Sequence, residues 1–200
     1  MDIFLEEALS RARDSASGTL SPSQGAWRGL ADQTKSVTIL QGTLQDFHPL
    51  RPHDARFLDR VGYQPLQPTD EIGMGYDVIW CQWCLGHLNG PDLVAFLKRC
   101  HCSLNGHPKS LIMVKENICS DCEDGSPQNV FDDEDSSLTR YLLNLIFLTD
   151  DRFVRSDKEW KAIFRQAGLR LIQEKVQDGL PEGLFDVKMW VIFYQIFSDL

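Results

Sequence analysis

Short apolar runs alternate with amphipathic segments along this chain, a pattern typical of alternating strands and helices. In residues 4–12, apolar side chains recur at helical spacing between acidic ones, which predicts a helix. Residues 36–40 are rich in β-branched side chains and predict a strand. Residues 76–81 form an almost continuous apolar run, which predicts a strand that is buried on both faces of a parallel sheet.

The second half of the chain continues this alternation. Residues 91–100 predict a helix and residues 110–115 a second buried strand, which together give a β-α-β order. Another helix is predicted at residues 158–167 and is ended by Gly168. Two closing strands, which we expect to pair antiparallel at a sheet edge, are predicted at residues 169–172 and 187–193. The pattern therefore predicts the α/β fold class.

Length and composition indicate one domain. A chain of 200 residues with 42% hydrophobic content can bury one sizeable core, so we expect a single domain over residues 1–200. Residues 51–75 carry three prolines and three glycines and are predicted to be a loop insertion. The first residues resemble neither a signal peptide nor a transit sequence, which predicts a cytoplasmic protein that can also be nuclear.

The formal net charge of -9 bears on the kind of partner. It leaves no basic stripe for nucleic acid, and there is no apolar run long enough for a membrane span. An acidic protein suits a cationic partner, although many soluble proteins are acidic only for solubility. We therefore expect no nucleic-acid or membrane partner.

Six cysteines occur in the close pairs Cys81/Cys84, Cys100/Cys102 and Cys119/Cys122. Two pairs have the C-x-x-C spacing found at zinc and redox sites, but such spacing alone is weak support for a metal. The alternative is that they are reduced thiols, some of them packed as small hydrophobic side chains. We favour the thiols and predict no metal site.

The most specific motif is the run of residues 76–88, Y-D-V-I-W-C-Q-W-C-L-G-H-L. It resembles the strand-to-helix turn of the alpha-N-terminal protein methyltransferases, an apolar strand followed by Q-W-x-x-G-H-L. Further matches follow in order at residues 96–100, 114–117, 131–137, 167–169 and 180–181. The resemblance covers residues 36–193 apart from 51–75, and it is closest to fungal members.

This resemblance implies a Rossmann-like class I methyltransferase sheet with an S-adenosylmethionine (AdoMet) pocket at the carboxyl ends of its strands. Family members methylate the α-amino group of proteins whose N-terminus begins X-Pro-Lys or X-Pro-Arg, for example ribosomal proteins. The expected cofactor is therefore AdoMet, and the expected partners are such N-termini.

The reaction needs a base, because an α-amino group with a pKa of about 7.7–8.0 is largely protonated at neutral pH. Asp135 and His87 match the family positions that supply it, a carboxylate beside an imidazole. Outside the motif, His87 would more often be a core histidine. The acidic run around Asp135 could equally be a solvated loop that caps a helix.

The resemblance also assigns binding residues. Asp132 matches the acidic contact to the basic third residue of the substrate, while Trp83 and Asn117 match the wall and hydrogen-bonding partner of its first residues. Contacts around the adenosine are matched by Leu44, Gln45 and Gln82. Without the motif, Trp83 would be a core residue. Gln82 is harder to explain as packing, because its amide needs partners.

One part of the family pattern is missing from the sequence. Family members carry a first strand and a glycine-rich turn before the region that matches Asp2, and residues 1–200 contain neither. We therefore expect a partial methyltransferase domain, and a chain that begins at an internal methionine. The alternative function is a catalytically inactive module that binds X-Pro-Lys/Arg N-termini without cofactor.

Overall fold

The computed structural model describes residues 3–65, 75–107, 109–131, 153–181 and 183–194. The chain divides into two compact units. The single domain expected over residues 1–200 stays a prediction. Residues 1–43 and 51–73 form the first unit, and residues 44–50 and 74–200 form the second. No helix among the described residues is long and apolar enough to cross a membrane.

The first unit contains one helix and one antiparallel strand pair among its described residues. Their bounds are α1 Ile3–Ala16, β1 Ser36–Gln41 and β2 Arg56–Gly62. An ion pair of 2.6 Å joins Arg13 of the helix to Asp59 of β2. Gly62 has a φ of 94°, and a Cβ there would collide with the carbonyl oxygen of Lys35, so the end of β2 requires glycine.

The second unit is built on a mixed sheet. Its described strands are β3 Val78–Gln82, β4 Leu111–Cys119, β5 Asn129–Phe131, β6 Phe153–Ser156, β7 Leu169–Val176 and β8 Asp186–Tyr194. β4 is central: it pairs parallel with β3 and β6 along one side and antiparallel with β8 along the other. β7 extends the sheet beyond β8, and β5 extends it beyond β6.

Two helices, α2 Gly90–Cys102 and α3 Asp157–Gln166, pack with one face of this sheet. Asn89 caps α2 by accepting a hydrogen bond from the Asp92 amide, and Ser156 caps α3 in the same way. The core they enclose is apolar. Its largest fully buried side chains are Trp160, Trp190, Phe164, Leu85, Leu88, Leu93, Leu97, Ile112, Ile163 and Ile192.

Most elements predicted from the sequence are confirmed, and so is the α/β class. The predicted helix at residues 4–12 lies within α1, and the strand at 36–40 lies within β1. β3, α2 and β4 form the expected β-α-β unit with parallel strands. The two closing strands pair antiparallel, as predicted, with β7 at the edge.

Two predictions are corrected. The supposed loop insertion at residues 51–75 contains β2, because pairing with β1 and the ion pair from Arg13 stabilise a strand that its prolines and glycines do not suggest. β3 is not buried on both faces: Val78 is 49% exposed and Trp80 is 52% exposed, while Cys81 is buried. Among the described residues, the β3 side chains that join the core are Cys81 and Ile79, which lie on the face toward α2 and α3.

A group of charged side chains at the start of α3 ties this helix to the sheet. The Asp157 carboxylate accepts from the Trp190 indole at 3.0 Å and pairs with Lys188 at 2.8 Å and Lys161 at 2.7 Å. Lys188 is only 8% exposed. Burial raises the pKa of the Asp157 carboxyl, but the hydrogen bonds from Lys161, Lys188 and Trp190 outweigh it, so this pKa lies below its ordinary value.

We expect Asp157→Ala to lower the free energy of unfolding by about 2–3 kcal/mol at pH 7, because it leaves the buried Lys188 with a single, longer ion pair to Glu174. A carboxyl with a depressed folded-state pKa stabilises above its unfolded pKa of about 3.9 and ceases to do so as pH falls through the folded value. The difference in free energy of unfolding between the unmutated protein and Asp157→Ala should therefore become smaller below about pH 4. Urea unfolding followed by circular dichroism checks this, with the exposed Asp178→Ala as control. An equal effect of both substitutions would contradict it.

Candidate active site

The candidate site is built on the turn that follows β3. Gln82 is the last residue of β3, and its side-chain oxygen accepts from the Trp80 indole at 3.1 Å. Trp83 follows in the left-handed region, with a φ of 52°. This conformation costs an aromatic residue roughly 1–2 kcal/mol, so the surrounding contacts must hold it in place.

Trp83 is held against β4. Its amide donates to the Lys115 carbonyl at 3.0 Å, and the Lys115 ammonium lies 5.1 Å from the centroid of its indole ring. Trp83 is 39% exposed, so a ligand can reach the ring. Asn117 lies two residues further along β4, on the same face as Lys115 and away from the core. The structure thus places Gln82, Trp83 and Asn117 at the carboxyl ends of two adjacent parallel strands.

Glu116 fixes the next part of the turn from the opposite face of β4. This side chain is 6% exposed, and one of its carboxylate oxygens accepts from the amides of Cys84 at 2.9 Å and Leu85 at 2.8 Å. Sequence reasoning did not single it out as a site residue. A charged residue among the alternating apolar positions of β4 was the available signal, because a buried carboxylate requires partners.

His87 ends a single 3₁₀ turn, Leu85–His87, that packs on the core through Leu85. The next residue, Leu88, is buried, and its carbonyl accepts a hydrogen bond from the Arg155 guanidinium. His87 is half-buried as a residue, but the Nε2 of its imidazole is buried. The position of His87 is compatible with both the core-histidine alternative and a site role, so its role stays a prediction.

The predicted adenosine contacts Leu44 and Gln45 lie on a segment that Arg99 of α2 holds. The Arg99 guanidinium donates to the carbonyls of Leu44 and Gln45, both at 2.8 Å, and to that of Phe47 at 3.0 Å. Leu44 and Phe47 also pack against the core, while the Gln45 side chain is exposed. Arg99 is a second residue that sequence reasoning did not assign to the site. It satisfies the backbone of this segment, in which the Gln45 side chain is exposed.

The remaining predicted residues, Asp132 and Asp135, lie outside the described residues. Their roles stay predictions. The structure therefore brings Gln82, Trp83 and His87 onto one turn with Asn117 beside it, and it attaches Leu44 and Gln45 to α2.

The chemistry of the predicted cofactor residues suits the adenosine end of AdoMet. Adenosine offers an apolar ring face and several hydrogen-bonding groups, and the amides of Gln82 and Gln45 with the Leu44 side chain can complement both. A separate cleft of about 360 Å³ opens on the face of Trp80 and Lys115. Its described lining includes none of the predicted cofactor residues, so we do not assign it to the cofactor.

Cys81 and Cys84, next to the turn, are free thiols; Cys81 is buried and Cys84 is partly buried. A hydrogen bond with Cys100, together with burial, raises the pKa of the Cys81 thiol, and contact with Cys81 and burial raise that of Cys84. A raised pKa favours the protonated form of each thiol. Within the described ranges, no three side chains of the metal-binding types come together to hold a metal ion.

Comparison with known proteins gives consistent matches. A family model described as AdoMet dependent proline di-methyltransferase matches residues 30–148 and 143–193. The alpha N-terminal protein methyltransferase 1 of Arabidopsis thaliana is 39% identical over 64% of this chain and 38% of its own length. The protein of the same name from Schizosaccharomyces pombe is 37% identical over 66% of this chain and 48% of its own length.

The name of a third relative states the class of its substrates, N-termini that begin Xaa-Pro-Lys. The N-terminal Xaa-Pro-Lys N-methyltransferase 1 of Xenopus tropicalis is 37% identical over 56% of this chain and 40% of its own length. The chain thus spans less than half the length of each of these three relatives. The family match covers most of the chain, and it includes the turn from Gln82 to His87. The chain therefore belongs to the AdoMet-dependent proline di-methyltransferase family.

Proposed function

We propose that the protein methylates the α-amino group of proteins whose N-terminus begins X-Pro-Lys or X-Pro-Arg, with AdoMet as the methyl donor. The observation that carries this proposal is the turn after β3, which places an accessible indole at the carboxyl ends of two parallel strands and a histidine four residues further along. Open α/β sheets bind their ligands at this edge. The family match and the names of the relatives support the same reaction.

The proposed chemistry requires a neutral amine, because an ammonium has no lone pair with which to attack a methyl group. His87 is the proposed acceptor of the ammonium proton, together with Asp135. An imidazole has an ordinary pKa of about 6.5, low enough to be neutral and able to accept a proton at physiological pH. Bound AdoMet supplies a methyl group that is activated by the adjacent sulfonium.

The proposed role of the other residues is to bind and align the two reactants. Trp83 offers a flat apolar wall for the first residues of the substrate, and Asn117 offers an amide that can hydrogen-bond to their backbone. Asp132 is the proposed partner of the basic third residue, and the net charge of -9 suits a cationic substrate. Leu44, Gln45 and Gln82 would hold the adenosine.

Mass spectrometry of a peptide that begins Ser-Pro-Lys, after incubation with the protein and AdoMet, tests this proposal. We expect the peptide to gain methyl groups on its α-amino nitrogen, and a Ser-Pro-Glu peptide to gain far fewer because Asp132 would repel it. The Asp135→Asn protein is the matched control and should show little transfer. Binding of the Ser-Pro-Lys peptide without any methylation would instead support the inactive-module alternative.

A further inference from the structure

The turn from Trp83 to Leu88 is held at both ends by buried charged side chains of opposite sign. At its start, the Glu116 carboxylate accepts from the amides of Cys84 and Leu85. At its end, the Arg155 guanidinium donates to the Leu88 carbonyl. Between these two points lies His87. Glu116 is 6% exposed and Arg155 is 2% exposed, so neither can contact a ligand from bulk solvent.

Arg155 is an unusual residue for its surroundings. Its guanidinium lies 5.1 Å from the ring centroid of Phe153 and 5.5 Å from that of Trp160, and desolvation lowers its pKa. Within the described part of the chain, its Nη1 has no hydrogen-bond partner. Burying a guanidinium this way is unfavourable compared with an apolar side chain of similar volume. A role in fixing the turn would explain why position 155 carries an arginine instead of an apolar residue.

Glu116 accepts hydrogen bonds from backbone amides at the start of the same turn. The left-handed backbone at Trp83 turns the chain abruptly out of β3, and this leaves the next two amides without strand partners. One carboxylate oxygen satisfies both. Without it, two buried amides would lose their acceptor, at a cost of about 1–3 kcal/mol each, and the turn would relax away from this conformation.

We propose that Glu116 and Arg155 are positioning residues that clamp the turn at both ends and thereby fix His87 for proton transfer. The inference rests on the proposed function, since it concerns the geometry of that reaction. A displacement of about 1 Å at a catalytic group can cost about 100-fold in rate. The clamp therefore contributes to activity through His87 and not through contact with either reactant.

Three variants separate the parts of this clamp. Glu116→Gln keeps an oxygen that can accept from both amides and should retain activity within about threefold. Glu116→Ala removes the acceptor, and Arg155→Met removes the donor while keeping an apolar chain of similar length. Each of these two should lower kcat about 100-fold, with a much smaller change in the KM for the Ser-Pro-Lys peptide. Lys188→Met, which removes a buried cation beside α3, should leave kcat unchanged.

The deciding experiment repeats these substitutions in a His87→Ala protein. If the clamp acts through His87, Glu116→Ala and Arg155→Met should lower the remaining rate less than threefold. A further 100-fold loss in that background would show that the two residues act by another route and would overturn the proposal.

Hydrogen exchange of the Cys84 and Leu85 amides gives a readout that does not depend on activity. Exchange should accelerate at least tenfold in Glu116→Ala and stay close to the unmutated rate in Glu116→Gln. Unchanged exchange in Glu116→Ala would overturn the clamp even in an active enzyme. If the unmutated protein fails to methylate the peptide but its exchange follows this pattern, the clamp stands and the proposed function fails.

Discussion

His87→Ala is expected to lower kcat for methylation of a Ser-Pro-Lys peptide by about 10²–10⁴-fold, the usual contribution of a positioned proton acceptor. The α-amino group has an ordinary pKa of about 7.7–8.0, so the variant must use the minor neutral fraction of free amine at lower pH. Its rate should therefore rise with pH until the amine itself is deprotonated. Steady-state kinetics between pH 6 and about pH 9.5 measure both effects.

His107→Ala serves as the control, because this exposed histidine lies in the same unit but away from the turn. It should leave both kcat and the pH profile unchanged. Asp135→Asn should cause a loss similar to that of His87→Ala, and the double variant should lose less than the product of the two, as expected for groups that act together. Retention of activity within threefold in His87→Ala would show that another group accepts the proton.

The elements that the sequence predicted correctly are those whose side-chain pattern reports directly on burial. The apolar residues of α2 and the alternation along β8 reflect one core, and the capping residues of α2 and α3 mark where these helices begin. β2 was missed because its sequence, R-F-L-D-R-V-G, carries little apolar pattern and lies among prolines. Its strand depends on pairing with residues that lie 15 to 26 positions earlier in the sequence, which no local pattern reports.

The same limit applies to the candidate site. A local motif was sufficient to identify Gln82, Trp83 and His87, because all three lie on one short turn. The residues that fix this turn come from other strands: Glu116 from β4 and Arg155 from β6. Arg99 similarly holds a segment more than 50 residues earlier in the sequence. Such contacts depend on tertiary packing, so spacing in the sequence could not assign these residues to the site.

For β3, the sequence pattern predicted more burial than the structure shows. Its run of apolar residues predicts burial on both faces, yet Trp80 is 52% exposed while Trp190 of β8 is fully buried. These two tryptophans lie on opposite faces of one sheet. Trp190 lies on the face toward α2 and α3, and Trp80 lies on the other face. The two residues therefore offer a direct comparison of what each face contributes to stability.

Trp190→Ala is expected to lower the free energy of unfolding by about 3–5 kcal/mol, the usual cost of deleting a large buried aromatic side chain. Trp190 is 0% exposed and lies 5.5 Å from Trp160 and 5.8 Å from Phe164 between ring centroids. The substitution opens a cavity between these rings and also removes the indole hydrogen bond to Asp157. Urea unfolding followed by far-ultraviolet circular dichroism measures the change.

Trp80→Ala deletes the same side chain from the exposed face and should cost less than about 1 kcal/mol. Trp190→Phe should lie between the two, since it keeps an aromatic ring in the cluster but cannot donate to Asp157. If Trp80→Ala proved as destabilising as Trp190→Ala, the outer face of β3 would have to be buried in the folded protein, and the exposure of Trp80 in this structure would be wrong. If neither variant lost stability, the cluster of Trp160, Phe164 and Trp190 would not be the centre of the core.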